Sequence, residues 1–229
     1  MTRLAIVGMG KMGEAIRTLA VSKGFQVVAQ VDTGWDFSRD ILNGAEVAVE
    51  FTVPSAAAEN VKALVGAGCA VVCGTTGWYD ARPAVEQFVK ERGGALLVAS
   101  NFSVGVNLLE QLVEQAGRLF AAAPGFDAHI VETHHTAKKD APSGTALTLE
   151  RAVARGMGHD VPITSVRVGS VPGIHELVFD APFETVRITH DARDRKVFAE
   201  GALVAARWLV GRKGIFTMRD VIALPGSGT

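Results

Sequence analysis

Residues 7–13, VGMGKMG, space Gly8, Gly10 and Gly13 as G-x-G-x-x-G, directly after the apolar run RLAIV and directly before KMGEAIRTLAVSKG, which has helical spacing. This feature constrains the fold more than any other in the chain. A glycine at 8 permits the tight strand-to-helix turn, Gly10 lets the backbone approach a pyrophosphate, and Gly13 lets helix and strand pack closely while the helix N-terminus faces the phosphates. The motif requires an acidic residue about twenty positions on, at the end of a second strand, to meet the ribose hydroxyls. Asp32 ends the strand-like run FQVVAQVD. A dinucleotide is the implied ligand.

The pattern continues in the same style. AEVAVEFTVP (45–54) reads as a third strand, and SAAAENVKALVGAG (55–68) as a helix opened by a serine cap. CAVVCGTTG and ALLVASNFS read as the fourth and fifth strands, with the helix DARPAVEQFVKERGG between them. Strands alternating with crossover helices indicate a doubly wound parallel sheet of Rossmann type. Ligands of such sheets bind at the carboxyl ends of the strands, so Gly74, Thr75, Thr76, Ser100 and Asn101 are candidates to line the nicotinamide end.

After Asn101 the style changes. GVNLLEQLVEQAGRLFAAAP is a long amphipathic helix, DAHIVETHH alternates like a half-buried strand, and TALTLERAVARGM is another helix. SVRVGSVPGIHELVFDAPFETVRITHDA reads as two or three antiparallel strands, with turns at Val171–Gly173 and Asp180–Phe183. AEGALVAARWLVGRKG is a helix, and the tail LPGSGT is expected to be mobile. The expected organisation is therefore a dinucleotide-binding domain and a second α+β domain with a mixed or antiparallel sheet.

Composition narrows the partners. The chain has 229 residues, 48% of them hydrophobic, with 23 basic and 24 acidic residues and a formal net charge of −1. Nothing there attracts nucleic acid or an anionic membrane in general, so any anion must be gripped locally. The longest uncharged stretches, 63–79 and 93–109, are broken by glycine and shorter than a bilayer-spanning helix requires. The N-terminus reads as a first strand and not a signal peptide, and a cytoplasmic location is expected. Cys69 and Cys73 lie too far apart along one strand for a disulfide and are expected to be buried free thiols.

The local grip is found in ETHHTAKKDAPSGTA, residues 132–146. The segment runs from a strand end to a helix start whose cap region is Ser143-Gly144-Thr145, and such a turn offers backbone N–H groups. With Lys138 and Lys139 it makes a positive pocket suited to a carboxylate. His134 or His135 can supply a proton near neutral pH. Adjacent lysines on an extended segment point to opposite faces, so only one of the two is expected to meet a ligand. His134, His135 and Asp140 raise the possibility of a metal site, but no third spaced ligand completes it and no metal is expected. His129, His175 and His190 are too scattered to enter the site. A carboxylate clamp, a proton donor and a hydride carrier together describe a reductase.

HHTAKKDAPSGTA resembles the signature of the 4-hydroxy-tetrahydrodipicolinate reductase (dihydrodipicolinate reductase) family, of lysine and diaminopimelate biosynthesis. The likeness extends along the chain through GMGKMG, GTTG, NFSVGVN, ITHDARDRKVFAEGA and MRDVI. It implies His134 as proton donor and Lys138 as catalytic lysine, with His135, Gly144 and Thr145 contacting substrate beside Ser143 of the turn. It implies cofactor contacts from Gly8, Met9, Gly10, Lys11, Met12, Gly13, Asp32, Gly74, Thr75, Thr76, Ala99, Ser100, Asn101 and Phe102. It also implies a homotetramer built through the second domain's sheet, and a C-terminal helix that returns to the first domain. The boundaries that follow are 1–103 with 196–229 for the dinucleotide domain, and 104–195 for substrate binding and oligomerisation.

The chain departs from the family pattern in two places. Thr33 stands where many members carry arginine after the acidic ribose residue, and the segment from Asp32 to EFTVP is short. Both NADH and NADPH are expected to serve, with NADH modestly favoured. Two other readings use the same phosphate loop: another two-domain NAD(P)-dependent dehydrogenase of an amino-acid precursor, and a dinucleotide sensor without turnover.

Overall fold

The structure, a computed structural model, describes residues 1–32 and 40–223. Thr33 and the tail from Leu224 onward lie outside the described residues. The chain divides into two compact units, Met1–Val104 with Lys196–Thr229, and Gly105–Arg195.

The first unit opens with β1 (Thr2–Val7), α1 (Lys11–Ala20), β2 (Phe25–Val31), β3 (Val47–Glu50), α2 (Pro54–Gly66), β4 (Ala70–Cys73), α3 (Arg82–Glu91) and β5 (Ala95–Val98). Strands β1, β3, β4 and β5 are short, mainly apolar and buried on both faces, while the edge strand β2 exposes Gln26 and Gln30. Val7, Ala48, Val71 and Leu96 point into one core with Ala57, Val61 and Leu64 of α2. Ile6, Val49, Val72 and Leu97 point into the other with Ile16 and Ala20 of α1. Neighbouring residues thus serve opposite cores, as the period of two in a strand requires. The serine expected to cap α2 does not: the N-cap is Val53, and Pro54 occupies the first turn, where its missing N–H is no loss.

Five strands become six because the chain returns after the second unit. α6 (Lys196–Leu209), β10 (Gly214–Phe216) and α7 (Met218–Ile222) complete the fold, and β10 pairs parallel with β5. The sheet order is β10-β5-β4-β3-β1-β2, with every pair parallel. The order reverses at β1, the switch point where open α/β sheets bind ligands, and the glycine loop follows that strand.

The second unit contains α4 (Val104–Ala121) from Gly105 onward, β6 (Asp127–His134), α5 (Gly144–Met157), β7 (Ile163–Arg167), β8 (Ile174–Ala181) and β9 (Glu184–Asp191). Its sheet order is β7-β6-β8-β9. β8 and β9 form the expected antiparallel hairpin, whereas β7 runs parallel to β6. Residues 168–173 therefore carry the chain across β6 instead of turning a hairpin. On β6, Ala128 and Ile130 face the apolar core formed with Leu149, Val153, Leu177 and Phe179. Glu132 and His134, two and four residues further along the same face, are buried as well. The inner face of one strand thus changes from apolar to ionic within its last four residues.

Candidate active site

In the first unit the glycine loop has the backbone that its spacing predicts. Gly8 has φ +91°, and a Cβ there would lie 2.1 Å from the Phe51 carbonyl oxygen. A Cβ on Gly13 would lie 2.0 Å from the Gly8 oxygen, whereas one on Gly10 would meet nothing within 4 Å. Two glycines are therefore demanded by the fold, and the third leaves open space over the N-terminus of α1. That combination fits a dinucleotide pyrophosphate. Lys11 and Asp32 are exposed at the same edge of the sheet, Met9 and Met12 are half-buried, and the loops after β4 and β5 end there too.

Those loops are partly structural. Thr75 is buried, its hydroxyl oxygen accepts the Thr52 N–H at 2.7 Å, and its carbonyl accepts Trp78 Nε1–H at 2.8 Å. Phe102 is buried, with its ring 5.4 Å from that of Phe51. Asn101 Oδ1 accepts the Ser103 N–H at 2.9 Å. Thr76 and Ser100 are exposed, and Gly74 and Ala99 half-buried. Gly74 is required because a Cβ would fall 2.0 Å from the Phe51 ring. Phe51, which touches both Gly8 and Gly74, is absent from the sequence-derived site. The carboxyl-end rule that nominated the β4 and β5 loops applied equally to EFTVP after β3.

Behind these loops lies a buried carboxylate. Glu50 accepts hydrogen bonds from Asn60 Nδ2 at 3.2 Å, from Cys73 Sγ at 3.1 Å and from the Thr52 hydroxyl. Burial pushes the Cys73 thiol far above the usual range, and the Glu50 charge adds to this. Cys69 and Cys73 are free and buried, as expected.

In the second unit His134 is 8% exposed and the Glu132 side chain is fully buried. Burial alone would raise the pKa of Glu132, yet hydrogen bonds from Arg167, Ser165 and His134 hold it at about 2. An ionised carboxylate only accepts hydrogen bonds, so the proton between Glu132 Oε2 and His134 belongs to Nδ1. Arg167 Nη2 donates to the other oxygen, Oε1, at 2.7 Å and to the Asp140 carbonyl at 2.7 Å. Burial lowers the His134 pKa, Glu132 opposes that shift, and Lys138 and Arg167 reinforce it.

The strand register accounts for this cluster. Glu132 lies opposite Ser165 on β7 and His175 on β8, and His175 lies opposite His190 on β9. His134 lies opposite Arg167. His175, set aside as scattered in the sequence, is buried with its ring 5.1 Å from that of His134 and its Nε2 3.1 Å from Ser143 Oγ. Burial lowers its pKa to about 4, so it is neutral at physiological pH. Glu132, His134 and His175 offer ligand atoms within 4.8 Å of one another. A cation there would compete with the Arg167 guanidinium for Glu132, so the donor set is poorly suited to a metal.

The loop after β6 supplies the remaining candidates. The Lys138 N–H donates to the His135 carbonyl at 3.1 Å, so the chain turns ahead of Lys138 and does not run extended through it. Lys138 Nζ lies 2.8 Å from both Asp140 carboxylate oxygens, while Lys139 is exposed. His135 is half-buried, and its N–H donates to the Val171 carbonyl at 2.8 Å. Ser143 caps α5, its Oγ accepting the Ala146 N–H at 3.1 Å. Gly144 is exposed, with open space where a side chain would stand, and Thr145 is half-buried.

A dinucleotide loop at a sheet switch point, and a second unit with a held histidine, a lysine and a helix N-terminus, define a NAD(P)H-dependent oxidoreductase. Residues 2–102 match the family description "Dihydrodipicolinate reductase, N-terminus" and residues 105–222 match "Dihydrodipicolinate reductase, C-terminus". The chain belongs to the dihydrodipicolinate reductase family, whose members serve lysine and diaminopimelate biosynthesis. It is 37% identical to the 4-hydroxy-tetrahydrodipicolinate reductase of Thiobacillus denitrificans, over 97% of this chain and 98% of the relative. It is 35% identical to the enzyme of that name from Christiangramia forsetii, over 96% and 97%. The dipicolinate-bound dihydrodipicolinate reductase of Paenisporosarcina sp. TG-14 shares its fold, with a TM-score of 0.82 at 21% identity, covering 97% of this chain and 99% of that one.

Proposed function

We propose that the second unit binds the cyclic dicarboxylate 4-hydroxy-tetrahydrodipicolinate and that His134 delivers the proton completing its reduction to tetrahydrodipicolinate. The observation that carries this reading is the state of His134: Nδ1 is committed to a buried carboxylate, which leaves Nε2 as the atom able to exchange a proton. Ser143, Gly144 and Thr145 at the α5 N-terminus hold a substrate carboxylate, where the helix dipole favours negative charge. His135 contributes to the same contact. Lys138 shifts part of its bond from Asp140 to the substrate.

A reduced nicotinamide dinucleotide bound at Gly8, Met9, Gly10, Lys11, Met12, Gly13, Asp32, Gly74, Thr75, Thr76, Ala99, Ser100, Asn101 and Phe102 supplies hydride. For Thr75 and Phe102 the contact comes from backbone or a side-chain edge, since both side chains are committed to packing or hydrogen bonds. Residues 1–103 with 196–229 hold the cofactor, and residues 104–195 hold the substrate and build a homotetramer through the four-stranded sheet. The exposed edge strand β9 and the fully exposed Phe183 beside it support that assembly. Light scattering of the purified chain tests it, a monomer counting against the proposal. The enzyme is placed by this reading in the cytoplasm, where lysine and diaminopimelate biosynthesis runs, and no helix among the described residues is long and apolar enough to cross a membrane. Both NADH and NADPH serve, with NADH modestly favoured.

The central assignment is tested with His134→Gln, following nicotinamide oxidation with the freshly made condensation product of pyruvate and aspartate semialdehyde. Turnover should fall about 100-fold or more, the usual worth of a positioned general acid, with cofactor affinity little changed. Wild-type turnover would remove His134 from this role.

A further inference from the structure

We infer that Glu132, clamped by Arg167, is a positioning residue that fixes His134 as the Nδ1–H tautomer, presents Nε2 to the substrate and stabilises the imidazolium formed when Nε2 is protonated. The inference rests on the assignment of His134 as proton donor and extends it to a carboxylate on the same strand and a guanidinium on β7.

Three observations carry it. The first is alternation: residues two apart on a strand share a face, so Glu132 and His134 stand side by side on the inner face of β6. The second is the cost of the arrangement. A fully buried carboxylate is unfavourable unless paired, and here Arg167 holds one oxygen and His134 the other. The preceding positions on the same strand face, Ala128 and Ile130, are apolar, so the ionic pairing begins at Glu132. The third is the space around His134. A Cβ at Gly173 would lie 3.0 Å from His134 Nε2, so a side chain there would crowd the ring nitrogen that Glu132 leaves able to exchange a proton.

Arg167 joins two parts of the site, because Nη2 bonds both Glu132 and the carbonyl of Asp140, whose side chain pairs with Lys138. Strand and loop are thereby held in one register.

The charged and titratable groups facing His134 are Glu132 on its own strand, Arg167 on β7, His175 on β8, and Lys138 with its partner Asp140 on the loop. Of these, Glu132 favours the imidazolium, while Lys138 and Arg167 disfavour it. With a pKa of about 2, Glu132 stays ionised throughout any practical assay range. Removing its charge therefore lowers the His134 pKa further, and the alkaline limb of the pH–kcat profile moves to lower pH.

The experiment compares Glu132→Gln and Glu132→Ala with the wild type. An amide oxygen can still accept from Nδ1–H, so Glu132→Gln should keep the tautomer and lose the charge, reducing kcat about tenfold. Glu132→Ala loses both and should reduce kcat about 100-fold, with KM and cofactor affinity changed less than about threefold. Glutamine also fills the volume that alanine vacates, so the deciding readout is the pH profile: an alkaline limb moved to lower pH in the nearly isosteric Glu132→Gln is not expected of a residue that merely fills space. Nitrogen-15 NMR of histidine-labelled wild-type enzyme supplies a measurement that does not depend on how the variants fold. His134 should show protonated Nδ1 and bare Nε2 at neutral pH, and an Nε2–H tautomer would overturn the inference. An inactive His134→Gln variant beside Glu132 variants with wild-type kcat and pH profile would also overturn it while leaving the His134 assignment intact. Wild-type turnover in His134→Gln would instead remove the assignment on which it rests.

Discussion

Between Gly8 and Gly13 the chain is shaped by the side chains it lacks, whereas between Glu132 and Thr145 it is shaped by the charges its side chains carry. In the glycine loop, close backbone approaches exclude a Cβ at the first and last glycines, and the middle one leaves the space a ligand would fill. In the second region, hydrogen bonds to side chains on neighbouring strands hold the chemical groups, and the helix cap is secured through Ser143 and His175. The difference concerns locality. The constraint on Gly13 arises within a strand, a turn and a helix adjacent in sequence, and only that on Gly8 reaches to Phe51 after β3, whereas those on the ionic cluster arise where β6, β7 and β8 come together.

The contrast within the loop is the easiest to break and should give the largest effect. Gly8→Ala places a Cβ against the Phe51 carbonyl in a left-handed backbone conformation, and should destabilise the protein by on the order of 3 kcal/mol. For a chain of this length that corresponds to a fall in melting temperature on the order of 10 °C. Gly10→Ala should leave the melting temperature nearly unchanged and weaken cofactor binding about tenfold, since its Cβ enters only the space assigned to the pyrophosphate. Thermal melts of both variants with cofactor titrations decide the matter. Equal losses of stability would erase the distinction between a glycine needed by the fold and one needed by the ligand.

In the second region the corresponding comparison is Lys138 with Lys139. Lys138 is half-buried and bonded to both oxygens of Asp140, whose pKa it lowers through that hydrogen bond, while Lys139 is exposed. Lys138→Ala should reduce kcat/KM about 30-fold, and Lys139→Ala by no more than about twofold. Steady-state kinetics at one pH is sufficient. Comparable losses in the two variants would mean that the positive pocket acts as a diffuse field and not through a positioned ammonium.

What was legible in the sequence follows the same division. The glycines, the strands and helices around them, and Asp32 follow from local spacing. His134 and the Ser143 cap also stand out, because a histidine at a strand end and a serine ahead of a helix carry their own chemistry. Arg167 and His175 reach the site only through register, which no spacing within one element reveals. The parallel direction of β7 within the mixed or antiparallel sheet is not legible either, because its short alternating run does not disclose its partner. β10, three residues without alternation, leaves no mark in the sequence because its place in the sheet depends on the returning chain. Glu132 is the instructive omission: a carboxylate two residues before a histidine, on a strand whose preceding inner-face positions are apolar, is by period alone buried beside that histidine.

The smallest expected effect is the choice between NADH and NADPH, and it returns to the first region. Asp32 follows β2 and is exposed; a carboxylate there accepts hydrogen bonds from both ribose hydroxyls of NADH and repels the 2′-phosphate of NADPH. Lys11, exposed in the first turn of α1, pulls the other way. With threonine at position 33 the phosphate lacks the bidentate partner an arginine would offer, and a lysine supplies only a point charge. At a solvent-exposed edge each charge contributes on the order of 1 kcal/mol, so the two nearly cancel and the preference for NADH should be about tenfold or less. Salt screens both terms, so the preference should narrow further as ionic strength rises. Measuring kcat/KM for both cofactors at low and moderate salt tests the balance. A hundredfold preference for NADPH would mean that Asp32 does not meet the ribose, and that even in the region most legible from sequence the charge at the edge of the loop had been misjudged.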